Sequence, residues 1–253
     1  MIDSAIIDSF TPISLEELGK RVKLMNRIDT KFVTRQEHLE ELLRRASVDY
    51  YIQQIDGESN MPYYTKYFDT QDVDMFYQHQ RGKKNRQKIR MRLYERTETV
   101  PFIEVKTKNN KGRTRKKRMV MDQGDDINRY DEFLNLHTPY TPTLLLPRIE
   151  NHFYRITLVN KDMTERITID SNLEFHNLTT GNRVSLDRLG IIEWKRDGNN
   201  WKSGLDVILR DLRIRQSGFS KYCMGMALTD PALRQNRLKA KIRMINRLTP
   251  LSI

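Results

Sequence analysis

Short segments of the chain alternate between hydrophobic and charged residues, which is the pattern of a β-strand with one buried face. In residues 102–106, Glu104 and Lys106 share one side of the predicted strand, while Ile103 and Val105 share the other. The segment therefore predicts a strand that packs its apolar side on a core and presents a carboxylate and an ammonium group on the opposite side.

The same arrangement recurs at residues 88–94, 165–170 and 191–195. The charged and polar residues at alternate positions of these segments are Lys88, Arg90, Arg92, Arg166, Thr168, Asp170, Glu193 and Lys195. A solvated sheet face remains the alternative for any one of these strands. Four such strands together, mostly with Arg and Lys on the ionic face, favour the lining of a site that binds a polyanion.

A first strand is predicted at residues 27–33, with Arg27 and Lys31 on its polar side. A helix should follow it, because Thr34 and Glu37 have the spacing of a capping box and apolar residues then recur at helical intervals. Further helices are predicted at about 72–79, 127–136 and from residue 203 onward.

A last, basic helix is predicted at about 231–248, with a narrow apolar stripe formed by Leu238, Ile242, Ile245 and Leu248. We expect this helix to pack on the rest of the domain. Attachment to a membrane surface or capture of a polyanion are the alternatives that its basic residues leave open.

The predicted elements indicate an α+β protein with a mostly antiparallel sheet and flanking helices. Because no long linker or repeat divides the chain, we expect a single domain over residues 1–253. Closing the sheet into a barrel would concentrate its ionic faces in the interior and focus their field on a bound anion. The sequence therefore favours an antiparallel β-barrel with a polar, tunnel-like interior.

The composition agrees with an anionic ligand, since 45 Lys and Arg against 33 Asp and Glu give a net charge of +12. A single cysteine, Cys223, rules out an internal disulfide and is typical of a reducing cytoplasm. The five histidines have no metal-ligand spacing. The longest apolar run, Leu144 to Leu146, is far shorter than the roughly 20 residues of a transmembrane helix, so we expect a cytoplasmic protein.

Seven motifs, in this order, carry a resemblance to a known family. They are NRIDTKF at 26–32, YFDT at 67–70, KIRMRLY at 88–94, FIEVK at 102–106, RITID at 166–170, EWK at 193–195 and FSKY at 219–222. The chain resembles the catalytic domain of the VTC (vacuolar transporter chaperone) proteins over about residues 21–228. These domains are polyphosphate polymerases within the triphosphate tunnel metalloenzymes.

The resemblance implies a tunnel-shaped antiparallel barrel that binds ATP, a divalent cation (Mn²⁺ or Mg²⁺) and inorganic polyphosphate or phosphate. It implies transfer of the γ-phosphoryl group of ATP to the growing chain. We expect no nucleic acid as partner. The sequence is similar to a stand-alone bacterial form without the membrane-spanning segments of eukaryotic members. A connection to a membrane would then require a membrane-protein partner.

Position by position, the resemblance assigns catalytic roles to six basic residues: Arg90, Arg92, Lys106, Arg155, Arg166 and Lys221. It assigns substrate binding to Lys31 and Ser220, and within the basic run 115–118 we favour Lys116 and Arg118. Arg27, Lys88 and Lys195 join the substrate-binding candidates because they lie on the same strand faces. The metal-binding glutamate of the family falls on Glu193. Glu104 has two interpretations, a second metal ligand or an ion-pair partner of Lys106.

Two positions depart from the family pattern. The residue two before Arg155 is usually tyrosine and is Phe153 here. The residue two before Ser220 is often lysine and is Gly218 here, which removes one phosphate contact and is expected to alter how the protein handles chain length or how efficiently it polymerises.

Phosphoryl transfer requires mainly positioning and neutralisation of charge, so Arg and Lys side chains with one metal carboxylate suffice without a protein nucleophile. Two other functions use the same basic face. One is a metal-dependent triphosphatase or nucleotidase of the same fold, and the other is a non-enzymatic binder of polyanions or RNA. Aromatic residues are scattered and not arrayed on one strand, which argues against RNA binding by base stacking.

Overall fold

The computed structural model describes residues 2–21, 27–95, 100–110, 114–122, 126–197 and 203–249, with only the backbone described at residues 20, 21, 27 and 197. The strands in this part of the chain are β1 (Thr11–Ser14), β2 (Arg27–Arg35), β3 (Tyr50–Gln54), β4 (Met61–Asp69), β5 (Arg86–Tyr94), β6 (Phe102–Lys108), β7 (Thr114–Val120), β8 (Leu146–Asn160), β9 (Glu165–Asn177), β10 (Arg183–Leu186) and β11 (Leu189–Asp197).

The α-helices are α1 (Ser4–Asp8), α2 (Leu15–Arg21), α3 (Gln36–Ala46), α4 (Asp74–Gln80), α5 (Asp131–His137), α6 (Gly204–Asp211), α7 (Lys221–Thr229) and α8 (Lys239–Leu248). Two short 3₁₀ helices cover Ile127–Tyr130 and Pro142–Leu144. Within the described residues, no helix has the length and apolar character needed to cross a lipid bilayer.

All eleven strands belong to one sheet, whose main path has the order β2-β11-β9-β8-β4-β5-β6-β7. Neighbours on this path are antiparallel, and the parallel pairing of β1 with β3 lies at the side. This confirms the predicted α+β class with a mostly antiparallel sheet and flanking helices. In the described chain the end strands β2 and β7 are not hydrogen-bonded to each other, so the closed barrel is not confirmed.

The predicted alternation of side chains within the strands is confirmed. Ile103 and Val105 on β6 are buried in the larger hydrophobic cluster, together with residues of α4, α5 and α7. Ile192 and Trp194 on β11 are buried in a second cluster, with α3 and α6 packed over them. The opposite face of these strands, which we call the inner face, carries the charged residues. On β5, β6, β9 and β11 they are Lys88, Arg90, Arg92, Glu104, Lys106, Arg166, Asp170, Glu193 and Lys195.

The start of α3 differs from the prediction. Thr34 and Glu37 do not form a capping box; β2 continues through Arg35, which pairs with Leu189 of β11, and the helix begins only at Gln36. The Thr34 hydroxyl instead lies 3.4 Å from Nδ1 of His38. Pairing with β11 therefore overrides the local capping pattern.

Other boundaries also shift. The predicted helix at 127–136 is a 3₁₀ turn followed by α5, and the helix predicted at 72–79 is α4. The C-terminal helix begins at Lys239 and not near residue 231, because the preceding residues form turns held by Asp230 and Gln235. The short strands β1, β3 and β10 were not predicted.

Helix α7 lies unusually close to the sheet. A Cβ atom on Gly225 would be 2.5 Å from the Phe175 ring and 2.6 Å from Cδ1 of Ile149, so only glycine fits between the helix and β8 and β9. This close packing fixes the amino-terminal end of α7, where Ser220 and Lys221 lie.

Candidate active site

The inner face gathers charges from strands that are far apart in the sheet order. Lys106 on β6 interacts electrostatically with Lys31 on β2 and Glu193 on β11, although five strands separate β6 from β2. The sheet must therefore curve strongly enough for its two halves to face each other across one cavity.

A cavity of about 350 Å³ lies between these halves. Four predicted substrate-binding or catalytic residues line it, namely Lys31, Lys88, Lys106 and Ser220. Arg86 and Lys108, on the same strands as Lys88 and Lys106, extend the basic lining.

Glu104 is buried and holds two cations. Its Oε2 accepts from Nε of Arg90 at 2.7 Å, and Nζ of Lys116 lies 3.1 Å from Oε1. Burial alone would raise the pKa of Glu104, but Arg90, Arg92 and Lys116 outweigh burial and lower the pKa to about 2. Both oxygens of Glu104 are therefore engaged.

The ion pair with Lys106, one of the two interpretations of Glu104, is not formed; the partners of Glu104 are Arg90 and Lys116. Arg90 lies directly opposite Glu104 in the pairing of β5 with β6, whereas Lys106 lies two residues along the same strand. Directly opposed side chains are closer than those two apart on one strand, and the arginine therefore takes the carboxylate.

Asp170 organises a second cluster. Arg155 donates to it through Nε at 2.6 Å and Nη2 at 2.8 Å, and Nζ of Lys221 donates to Oδ2. Burial would raise the pKa of Asp170, but Arg155 and Lys221 together hold it well below its ordinary value. Asp170 thus fixes the positions of two predicted catalytic cations.

Glu193 has looser partners. Nζ of Lys31 is 3.6 Å from one of its oxygens, and Nζ of Lys195 is 3.3 Å from the other. Burial would raise the pKa of Glu193, yet these ammonium groups and Lys106 keep the pKa far below its usual range. Glu193 is therefore ionised, without the short guanidinium bonds that occupy Glu104 and Asp170.

The donor set fits a divalent cation that takes most of its ligands from substrate. No group of three or more His, Cys, Asp or Glu side chains suited to a metal occurs in the described part of the chain. Mg²⁺ and similar hard cations are commonly held by one or two carboxylates, with phosphates and water completing the shell. Glu193 meets that requirement, whereas the engaged oxygens of Glu104 do not.

Arg92 is a buried cation with little compensation. Its Nε has no hydrogen-bond partner among the described residues, and its guanidinium lies 5.4 Å from the Tyr63 ring centroid. Burial, followed by Arg90 and Arg155, lowers its pKa to about 10. A phosphate oxygen would supply the acceptor that this Nε lacks.

For three lysines of the site, too, the environment disfavours the charged form. Burial, with a smaller contribution from neighbouring cations, lowers the pKa of Lys106 and of Lys221 to about 7 and that of Lys88 to about 8. A bound polyanion would stabilise their protonated forms. The site therefore concentrates positive charge that an anionic ligand would neutralise.

Ser220 links the cavity to α7. It is the N-cap of the helix, its Oγ accepting from the backbone N–H of Cys223 at 3.3 Å and from Nζ of Lys88 at 2.8 Å. The backbone N–H groups of a helix amino terminus favour a bound anion. Ser220 thus brings the amino terminus of α7 and the ammonium group of Lys88 together at the cavity.

The remaining predicted residues lie around this centre. Arg166 is opposite Lys195 in the pairing of β9 with β11, and both lie on the inner face. On β7, the side chain of Lys116 is 45% exposed, and the exposed Arg118 packs its guanidinium 5.0 Å from the Phe102 ring centroid. The side chain of Arg27 lies outside the described residues.

The model of the VTC domain family matches residues 26–229, about four-fifths of the sequence. The chain belongs to the VTC domain family. Comparison with curated proteins gave no significant match.

Three solved structures are similar to this VTC domain protein. A proposed adenylate cyclase from Vibrio parahaemolyticus is 9% identical, with a TM-score of 0.48, and the alignment covers 81% of this chain and 99% of that one. A proposed adenylate cyclase from Bacillus halodurans is 15% identical, with a TM-score of 0.46 and coverages of 78% and 96%. A protein from Pyrococcus horikoshii is 13% identical, with a TM-score of 0.43 and coverages of 79% and 98%.

The first departure from the VTC pattern is Phe153, which has the aromatic ring of the usual tyrosine but not its hydroxyl group. The ring stacks on Tyr63 at 5.2 Å between centroids, and Nζ of Lys221 lies 4.1 Å from its centroid. Phe153 therefore supports Lys221 by a cation–π contact but cannot donate a hydrogen bond.

The second departure, Gly218, leaves room in the cavity wall. A Cβ atom at this position would be 3.2 Å from Nζ of Lys241, which reaches the cavity from α8. A lysine side chain at 218 would therefore enter the space that Lys241 occupies.

Strand alternation places Asp170 on the ionic face with Arg166 and Thr168, but the sequence assigns it no role in the site. Tyr63, His79 and Lys241 were not among the predicted site residues of this VTC domain. Tyr63, His79 and Lys241 reach the site through tertiary packing, for which the local sequence has no pattern.

Proposed function

We propose that this protein is an ATP-dependent polyphosphate polymerase, which transfers the γ-phosphoryl group of ATP to a growing polyphosphate chain. The proposal rests on the length of a row of cations on the inner face of this VTC domain. Arg86, Lys88, Arg90 and Arg92 follow one another at alternate positions of β5 and span ~20 Å. This row is longer than one triphosphate group, which favours an acceptor chain lying beside the nucleotide.

In the proposed reaction, an oxygen of the terminal phosphate of the acceptor attacks the γ-phosphorus, and the bond from that phosphorus to the β,γ-bridging oxygen breaks to release ADP. The chain lengthens by one phosphate. Arg92 and Arg155 would bind the oxygens on which negative charge is spread, while Asp170 keeps Arg155 and Lys221 in position. The tight pairing of Glu104 supports a positioning role for this residue, in which it orients Arg90.

We further propose Mn²⁺ or Mg²⁺ as cofactor, with Glu193 as the carboxylate that would hold it. When bound, the ion would neutralise charge on the phosphate oxygens. Lys31 and Lys195 keep Glu193 ionised and would turn to phosphate oxygens once the carboxylate is engaged.

The curvature of the sheet supports a tunnel that surrounds the substrate, since β2 and β6 contribute to one cavity. RNA binding is less well supported. The inner-face rings contact one another, with Tyr63 at 4.8 Å from Tyr94 and 5.2 Å from Phe153 between centroids. Rings packed in this way do not form separate stacking platforms for bases.

Product analysis tests the proposed activity. Purified protein incubated with ATP and Mn²⁺ is expected to release ADP and to form polyphosphate that runs as long chains on a gel. There are two controls: the protein incubated without ATP, and the protein incubated with ATP after a chelator has removed Mn²⁺. Release of free phosphate alone would assign a triphosphatase instead, and absence of any ATP turnover would contradict an enzymatic role.

A further inference from the structure

Helix α8 lies beyond residue 229, where the VTC domain match ends, and it is nevertheless fixed to the core. Leu238 and Ile245 are buried in the larger hydrophobic cluster, and Ile242 packs against it. Near the end of the helix, Nη2 of Arg35 donates to the carbonyl oxygen of Arg247 at 3.0 Å. The helix is therefore anchored at several points along its length.

Lys241 shares the inward side of this helix. It follows Leu238 by three residues and precedes Ile245 by four, a spacing that places all three on one face. It lines the cavity together with Lys88 and Lys108, and its ammonium lies 3.2 Å from where a Cβ atom on Gly218 would be. Burial and the nearby Lys31 lower the pKa of Lys241, and the acidic Asp29 belongs to the same cavity lining.

The same end of the cavity contains a polar atom that lacks a partner. Nδ1 of His79 is buried with no hydrogen bond to any described residue, and His79 interacts electrostatically with Lys88, Arg86, Lys241 and Lys108. A cluster of cations around an unsatisfied imidazole is an environment that an anion with several oxygens would complete.

We propose that Lys241 is a polyphosphate-binding residue, supplied by a helix outside the VTC domain match, and that it replaces the lysine absent at position 218. The inference rests on the proposed function, because it places part of the polyphosphate chain at this end of the cavity. The geometry gives the reason for the replacement. Nζ of Lys241 occupies the space directly in front of Gly218.

The test measures binding of long-chain inorganic polyphosphate by calorimetry at several salt concentrations, without ATP. Lys241→Met keeps most of the side-chain stem and removes the charge. We expect the dissociation constant to rise about five- to tenfold, as for loss of one charge-assisted hydrogen bond. The slope of log affinity against log salt should fall in magnitude by about one, as for loss of one phosphate contact.

Lys239→Met is the matched control, because Lys239 is an exposed lysine on the same helix and outside the cavity lining. It should leave both quantities unchanged. Adding Gly218→Lys to Lys241→Met should restore the dissociation constant to within about twofold of the original, since the new lysine would enter the vacated space. That rescue would not occur if Lys241 acted only by holding α8 in place.

Equal effects of Lys241→Met and Lys239→Met would overturn this inference and leave the polymerase proposal standing. An unchanged salt slope in Lys241→Met would also overturn it, because the lysine would then not contact phosphate. If the unmodified protein bound no polyphosphate, the proposed function itself would fail, and this inference with it.

Discussion

Replacing Arg92 with methionine should lower kcat/KM for ATP by roughly 30- to 1000-fold, equivalent to ~2 to 4 kcal/mol of transition-state stabilisation. The Tm of the empty protein should stay the same or rise. Arg92 is buried beside Arg90 and Arg155, and the Nε of Arg92 has no acceptor among the described residues. Removing it relieves repulsion in the empty state while deleting a phosphate contact.

The control for Arg92→Met is Arg115→Met, which removes an exposed arginine of β7. Initial rates over a range of ATP concentrations and a thermal melt of each variant measure the two effects. Activity near the unmodified level in Arg92→Met, or the same loss in both variants, would contradict the assignment of Arg92 to the site.

Replacing Glu193 with glutamine should raise the Mn²⁺ concentration needed for half-maximal activity by about tenfold or more, with a large loss of turnover. Among the described residues, the carboxylate has the 3.3 and 3.6 Å contacts of Lys195 and Lys31 and no guanidinium bond, so we expect it to serve the metal. Tripolyphosphate should still bind the variant without metal, because removing an anion leaves the cations of the site in place.

Glu104→Gln is the informative comparison for Glu193→Gln. It neutralises a buried carboxylate that is already paired with Arg90 and Lys116. The variant should therefore have a lower free energy of unfolding, and the midpoint of its Mn²⁺ titration should stay unchanged. The titration is measured with ATP saturating. An unmoved midpoint and full activity in Glu193→Gln would show that this residue is only an ion-pair partner of the two lysines.

Alternation within strands predicted which side chains share the inner face, because that information is local. Glu104 and Lys106, and Glu193 and Lys195, lie where the period of two places them. The partner of Glu104 could not be predicted in the same way. It depends on the register between β5 and β6, which brings Arg90 opposite the carboxylate.

Long-range packing also explains the other differences. The extension of β2 through Arg35 depends on pairing with β11, some 150 residues later in the chain. Asp170 reaches Lys221 only because α7 returns to the sheet, and Lys241 reaches the cavity beside Gly218 only because α8 packs on the core. Local sequence identifies the charged residues, and tertiary structure decides which of them meet.

The most direct test of the account is a crystal structure with tripolyphosphate and Mn²⁺. We predict phosphate groups along the inner face, in contact with Lys106, which lines the cavity, and with Arg92 and Lys221, and an Mn²⁺ ion between Glu193 and phosphate oxygens. Phosphate bound only to the exposed basic residues of β7, with the inner face unoccupied, would contradict the claim that the inner-face charges form one phosphoryl-transfer site.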